Sequence, residues 1–244
     1  MIGLAEFARM IKDVHLGGII TGCYVTVEDS QAYVIAMDNT QAVVVETTAE
    51  FEHEDCSLGI EDLSLFDKYL NTIKDEEVSI KVTEENLVIN PKQGAKVTYL
   101  LYDVDFIQSF DEEWGTDVIN TEIEGGEYGE PLPVKQENVE DFLQMMSLFG
   151  HSSVFINVDK RGVVHLHGGK ESDHQFDIVI GKIKGVEPFS LKVFGKNLAS
   201  VLNRVDFSKS PLLYLAEKSS IIIKTETTSW MLRPVELEID DTTN

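Results

Sequence analysis

Six histidines and two cysteines bound the metal chemistry open to this chain. His165 and His167, in VVHLHGG, alternate along an extended run and can point the same way, as two imidazole ligands of a zinc ion do. No carboxylate or cysteine stands at a fitting local spacing to complete such a set. His53, Asp55 and Cys56, in EHEDCS, gather three ligand types within one short stretch, and a solvated acidic loop accounts for them more economically. HGGK at 167–170 lacks the spacing of a phosphate-cradling loop, and neither G-x-S-x-G nor H-E-x-x-H occurs. Acid pairs such as Glu76 with Glu77 and Glu112 with Glu113 have no neighbouring histidine to tune a proton transfer. The sequence therefore proposes no active site, no cofactor and no metal: this is not the chain of an enzyme.

With catalysis set aside, charge decides the choice of partner. The 43 acids outnumber the 20 bases, for a formal charge of -23. Such a surface repels nucleic-acid phosphates unless basic side chains are gathered on one face. The length of 244 residues and the 43% hydrophobic content support one large or two ordinary domains with a real core. Cys23 and Cys56 are too few for a disulfide framework, which fits a reducing, cytoplasmic setting. The opening MIGLAEFARMIKDVH is amphipathic, with Glu6 and Arg9 inside its apolar pattern, and no run reaches membrane-spanning length. The expectation is a soluble protein with no membrane partner.

The elements that position any binding face come from periodicity. Leu4, Phe7, Ile11 and Val14 are spaced three, four and three apart and predict an amphipathic helix; Leu63, Phe66, Leu70 and Ile73 repeat those steps. Val139, Phe142, Met146 and Phe149 give a third helix, and Leu198, Val201 and Val205 a fourth. An offset of 135 carries Phe7 onto Phe142 and Leu63 onto Leu198. The same offset, within one residue, carries the hairpin pattern VSIKVTEENLVI onto LLYLAEKSSIII. Between the copies, residues 116–138 hold Gly125, Gly126, Gly129, Pro131 and Pro133 with little periodicity. The reading is an α+β, strand-dominated chain of two similar domains, 1–117 and 136–244, joined by a linker at 118–135. Each domain has two helices on a strand-rich sheet.

At about 100° per residue, the direction opposite the apolar stripe falls on Arg9 in the first helix and Lys68 in the second. The repeat puts Gln144 and Asn203 there in the second copy. None of the four is acidic, in a chain with more than twice as many acids as bases. Lys12, Asn71 and Ser147 flank them, although Glu6, Asp13, Glu140, Asp141 and Asp206 lie nearby. A solvated helical face and a weakly positive DNA-facing surface both carry such residues.

Three segments bear a resemblance to a known family. AMDNTQAVVVE is similar to the Met-Asp strand-turn-strand of the sliding clamps of DNA replication, the type of proliferating cell nuclear antigen and its archaeal and phage relatives. GIEDLSLFDKYLNTIKDEEVSIKVTEENLVI resembles the second helix and following hairpin of that family, and SWMLRPVELEIDD its C-terminal Leu-x-Pro with an acidic tail. With the duplicated layout they span nearly the whole chain. The resemblance implies a ring of six similar domains, a homotrimer of two-domain chains, with helices lining the hole and sheets forming the wall. Such a ring holds duplex DNA topologically and acts as a processivity factor for a DNA polymerase and other replication proteins. An ATP-driven loader would open it, since no nucleotide-binding motif is present.

By matching positions, the resemblance implies exchangeable phosphate contacts from Arg9, Lys12, Lys68, Lys196 and Arg204. It also implies a partner-peptide pocket built from Met37 and Gln41 of the turn, Ile123 of the linker, and Met231, Leu232 and Pro234 of the tail. Met37 reads equally as a strand-end residue half covered by its own domain. The linker GGEYGEPLP is richer in glycine than is usual in the family, and the first helix of the second copy lacks the expected bases. Strands near 108–115 and 174–185 are candidates for subunit joints, because edge strands must pair in a closed ring. Alternatives are a monomeric or heterotrimeric clamp-like subunit, or an acidic interaction scaffold that never encircles DNA.

Overall fold

The computed structural model describes residues 4–73, 78–92, 94–103, 117–169 and 174–235. The chain divides into two compact units, Met1–Asn120 with Thr227–Trp230, and Thr121–Glu226 with Met231–Asn244.

In the first unit, α1 (Leu4–His15) buries Phe7, Met10, Ile11 and Val14, the expected stripe widened by Met10. The strands β1 (Cys23–Glu28), β2 (Gln31–Met37), β3 (Val43–Glu50) and β4 (Cys56–Ile60) are antiparallel and lie in the order β4-β1-β2-β3. Their alternating burial follows from the two-residue period of a pleated strand with one face on a core. The two-residue turn between β1 and β2 places Asp29 and Ser30 at φ of 49° and 62°, the twist a tight hairpin demands. Helix α2 (Leu63–Thr72) starts where the Asp62 carboxylate accepts the Leu65 N–H at 2.8 Å, and it buries Leu63, Phe66 and Leu70. A second sheet, β5 (Val78–Val82), β6 (Asn86–Pro91) and β7 (Val97–Leu100), pairs in chain order. The core between helices and sheet is aromatic: Phe7 lies 4.6 Å from Phe51, and Phe66 lies 4.7 Å from Tyr99.

The stretch read as a linker holds two short elements, helix α3 (Val118–Gly125) and strand β8 (Leu132–Pro133). In the second unit, α4 (Gln136–Phe149) buries Val139, Phe142 and Met146 and stops at Gly150, whose left-handed backbone (φ 59°) returns its N–H to the Met146 carbonyl at 2.8 Å. The strands β9 (Ser153–Val158), β10 (Val163–Gly168), β11 (Phe176–Lys182) and β12 (Phe189–Phe194) form an antiparallel sheet ordered β11-β10-β9-β12. Helix α5 (Gly195–Leu202) follows β12 directly. Strand β13 (Leu212–Tyr214) pairs with β14 (Ile221–Lys224) on one side and with β8 on the other. The last strand, β15 (Thr228–Leu232), gives its first three residues to the first unit.

The strand order of one unit is thus the order of the other: β4-β1-β2-β3 answers to β12-β9-β10-β11. The single offset of 135 needs correction. Corresponding elements start 130 residues apart at Cys23 and Ser153 but 134 apart at Val78 and Leu212. The buried residues Leu63, Phe66 and Leu70 of α2 correspond to Gly195, Leu198 and Leu202 of α5, so Leu198 answers to Phe66 and not to Leu63. Turns of unequal length absorb the differences without altering the strand order. Of the strands expected at subunit joints, 108–115 lie outside the described residues. The other candidate holds β11, the outer strand of its sheet among the described residues.

Candidate functional site

The helical bases divide by how far their charge is already spent. Lys68 on α2 and Lys196 on α5 are exposed, whereas Lys12 on α1 and Arg204 just after α5 are half-exposed. Arg9 departs from expectation. Its guanidinium donates to Asp13 Oδ2 at 2.6 Å, to Glu6 Oε2 at 3.1 Å, to the Thr48 carbonyl at 3.0 Å and to Thr228 Oγ1 at 3.2 Å. A 100° wheel drawn from the apolar stripe alone misplaces it, because residues 227–230 cover the side of α1 next to Asp13 and extend the buried arc. An arginine whose donors are spent on protein acceptors has little left for phosphate.

Three helices, α1, α2 and α5, match or outnumber their acids with bases, whereas α3 carries two acids and no base. In α1 two acids face two bases, and in α2 one faces one; α4 has three acids and no base, and α5 one lysine and no acid. Beside Lys196 and Asn203, a cleft of about 470 Å³ opens between α4 and α5, floored by Leu143, Met146 and Ala199.

The turn holding Met37 is stapled by its neighbour. Asp38 is buried; its Oδ1 accepts the Val43 N–H at 2.7 Å, and its Oδ2 accepts the Thr40 N–H at 3.2 Å and the Thr40 hydroxyl. Met37 is half-buried at the end of β2, and Gln41 is exposed with a left-handed backbone, φ 56°. Ile123, on α3, is half-buried. In the same unit, the Tyr128 hydroxyl donates to the Ser220 carbonyl at 3.0 Å and to Glu122 Oε1 at 3.3 Å, fixing the glycine-rich stretch onto the β13–β14 side. Burial and the Glu122 carboxylate push the Tyr128 phenol well up.

The tail residues are corrected. Met231 and Leu232 are 2% and 1% exposed, so their side chains are core and present nothing to a peptide. Arg233, Pro234 and Val235 are half-exposed, and the Val235 N–H donates to the Lys192 carbonyl at 2.7 Å. β-Strand periodicity could have warned of this, since Trp230, Met231 and Leu232 are three apolar residues in succession, with no alternation to turn one of them toward water.

His165 does find a carboxylate, from the next strand: its Nδ1 lies 3.0 Å from Asp177 Oδ1 across the β10–β11 pair. Among the described residues no group of three or more His, Cys, Asp and Glu is placed to hold a metal ion. Burial pushes the Cys23 thiol up to about 12; burial first and then Asp55 push Cys56 up, so neither thiol is tuned toward a nucleophilic thiolate. Among the described residues no helix is long and apolar enough to cross a membrane.

Neither a protein-family profile nor a curated protein matches the sequence. Solved structures do match the fold. PCNA from Thermococcus kodakaraensis superposes with a TM-score of 0.69 at 11% identity, over 95% of this chain and 97% of its own. Proliferating Cellular Nuclear Antigen from Entamoeba histolytica gives 0.66 at 16% identity, over 96% of each chain. The Helicobacter pylori beta clamp, solved with a DNA ligase peptide bound, gives 0.67 at 11% identity over 99% of this chain and 67% of its own. The match covers both units: the chain has the α+β fold of the DNA sliding clamps.

Proposed function

We propose that this chain is the subunit of a homotrimeric sliding clamp that encircles duplex DNA and tethers a DNA polymerase and other replication proteins to it. The observation that carries the reading is the correspondence of two duplicated units with nearly the whole of a PCNA chain, 95% against 97%. A closed ring is the usual fate of a heterologous contact whose rotation closes, and three two-unit chains give six repeats. The protein is non-catalytic and acts by topology, which reconciles a charge of -23 with a nucleic-acid partner. Lys12, Lys68, Lys196 and Arg204 make screened, exchangeable contacts that permit sliding, while Arg9 serves the fold. An ATP-driven loader opens the ring. Met37, Gln41, Ile123 and Pro234 are the residues proposed to contact partner peptides, with Met231 and Leu232 supporting from the core.

The test is the retention of the full chain on DNA after loading. Native mass should be three times the 27.3 kDa chain, and the protein should stay on nicked circular plasmid and leave when the plasmid is linearised. A 27.3 kDa species at micromolar concentration would favour the monomeric subunit. Release that ignores linearisation would favour the acidic scaffold.

A further inference from the structure

Buried polar groups cluster at one place in the first unit, where α1 meets β3 and residues 227–230. Asp13 is 6% exposed, and Thr47, Thr228 and Trp230 are more deeply buried still. The Thr228 hydroxyl donates to Asp13 Oδ2 at 3.2 Å, while its oxygen accepts from Arg9 Nη1 at 3.2 Å and lies 2.8 Å from the Thr47 hydroxyl. Two residues on, the Trp230 indole Nε1 donates to the Asp13 carbonyl at 3.3 Å. The backbone joins in, with the Thr48 N–H donating to the Thr227 carbonyl at 3.0 Å.

Stability alone does not explain such a cluster. The Asp13 side chain is 8% exposed and that of Arg9 32%, so the desolvation cost falls on the carboxylate, and replacing a buried pair by apolar side chains of similar volume is often neutral or stabilising. What a satisfied polar network does supply is discrimination, since a partner lacking the right donor leaves buried groups unpaired. The network touches the incoming segment at two side chains in Thr-Ser-Trp, so it reads a hydroxyl at one position and an indole N–H two positions later. Among the described residues the second unit has no counterpart. Helix α4 contains neither Arg nor Lys, and its β11, the counterpart of β3, is the outer strand of its sheet among the described residues, with Val179 52% exposed.

We propose that Arg9 and Asp13 form a latch that selects the chain's own segment Thr227–Trp230, by its Thr228 hydroxyl and Trp230 indole, as the strand that closes the edge of β3. An unlatched edge of β3 would accept any extended backbone, including that of another copy. The pair is a positioning pair, and the proposal is independent of DNA binding.

The experiment is amide hydrogen exchange on the full chain. In Arg9→Leu, which leaves the buried Asp13 carboxylate without its charged partner, protection of the amides of 227–230 and of Thr48 should fall about tenfold or more, with β1, β2 and the second unit unchanged. Thr228→Val, which removes the hydroxyl and keeps the shape and the ion pair, should give the same local loss and serves if Arg9→Leu fails to fold. Unchanged protection in Thr228→Val would overturn the latch, since backbone pairing alone would then choose the strand. Loss spread evenly through the first unit would also overturn it, leaving the pair a mere stabiliser.

Discussion

The two units share a strand order and differ in what their first helix does with its polar face. Helix α1 balances its charges and spends Arg9 and Asp13 on a neighbouring strand segment. Helix α4 is acidic, lacks bases, and ends in Leu148 and Phe149, which are 65% and 38% exposed. The apolar stripe is the part both copies keep, because it alone is needed to seat a helix on a sheet. The rest of the helix is free to specialise: one copy locks a strand of its own chain, and the other presents an apolar end and an outer strand.

The sharpest way to break this comparison is through the shared core. Phe66 and Phe142 are both fully buried, the first against Phe7 and Tyr99, the second against Phe176. Phe66→Ala and Phe142→Ala should each cost about 3–5 kcal/mol, the range for emptying an aromatic site in a packed interior. Urea unfolding followed by hydrogen exchange should assign each loss to its own unit. Equal loss in both units from either substitution would show that the copies unfold as one and that the comparison is only topological.

The core of each unit was legible because it is written in local periodicity: Phe7, Phe66 and Phe142 sit at helical spacings that need no knowledge of the partner strand. The site was less so. Arg9 lies on the polar side of its own helix, and only residues far along the chain, Thr48, Thr228 and Trp230, show that this side is covered. His165 finds Asp177 in the same way, through strand pairing that no local spacing encodes. Met231 and Leu232 drew interest for their place beside Pro234, but their burial is set by β15 having neighbours on both faces. Lys68, which the wheel sets opposite the buried stripe of α2, is exposed as that spacing requires, whereas Lys196 was reached only through the family resemblance.

A smaller effect distinguishes the turns. Asp38 in the first unit and Asp159 in the second do the same job, each carboxylate collecting N–H groups of its turn; Asp159 Oδ1 accepts from Arg161 at 2.7 Å and Val163 at 2.9 Å. They differ in solvent access, Asp38 being buried and Asp159 half-exposed. Asp38→Ala should cost about 1–3 kcal/mol, since Val43 N–H would lose a buried acceptor, and it should weaken any peptide binding that relies on Met37 and Gln41. Asp159→Ala should cost a fraction of that, because water replaces the carboxylate. Equal costs in thermal unfolding would mean that burial is not what distinguishes them.

The smallest effect is alkaline. Burial pushes the Tyr99 phenol of the first unit up to about 12, and burial and Glu122 push Tyr128 of the second up as well. A raised folded value means that the folded protein keeps a proton the unfolded chain gives up near pH 10. The associated stability is fully present below pH 10 and is lost as the pH rises from there toward 12. Tyr99→Phe should therefore flatten the decline of the first unit's unfolding midpoint between pH 10 and 12 and leave that of the second unlike it, with Tyr128→Phe doing the reverse. Tyr99 is held by Asp62 at the start of α2, its hydroxyl accepting the Asp62 N–H at 3.3 Å, so the loss should be felt first at that helix. A midpoint whose slope is untouched by either substitution would place the alkaline sensitivity elsewhere and remove tyrosine burial as a difference between the copies.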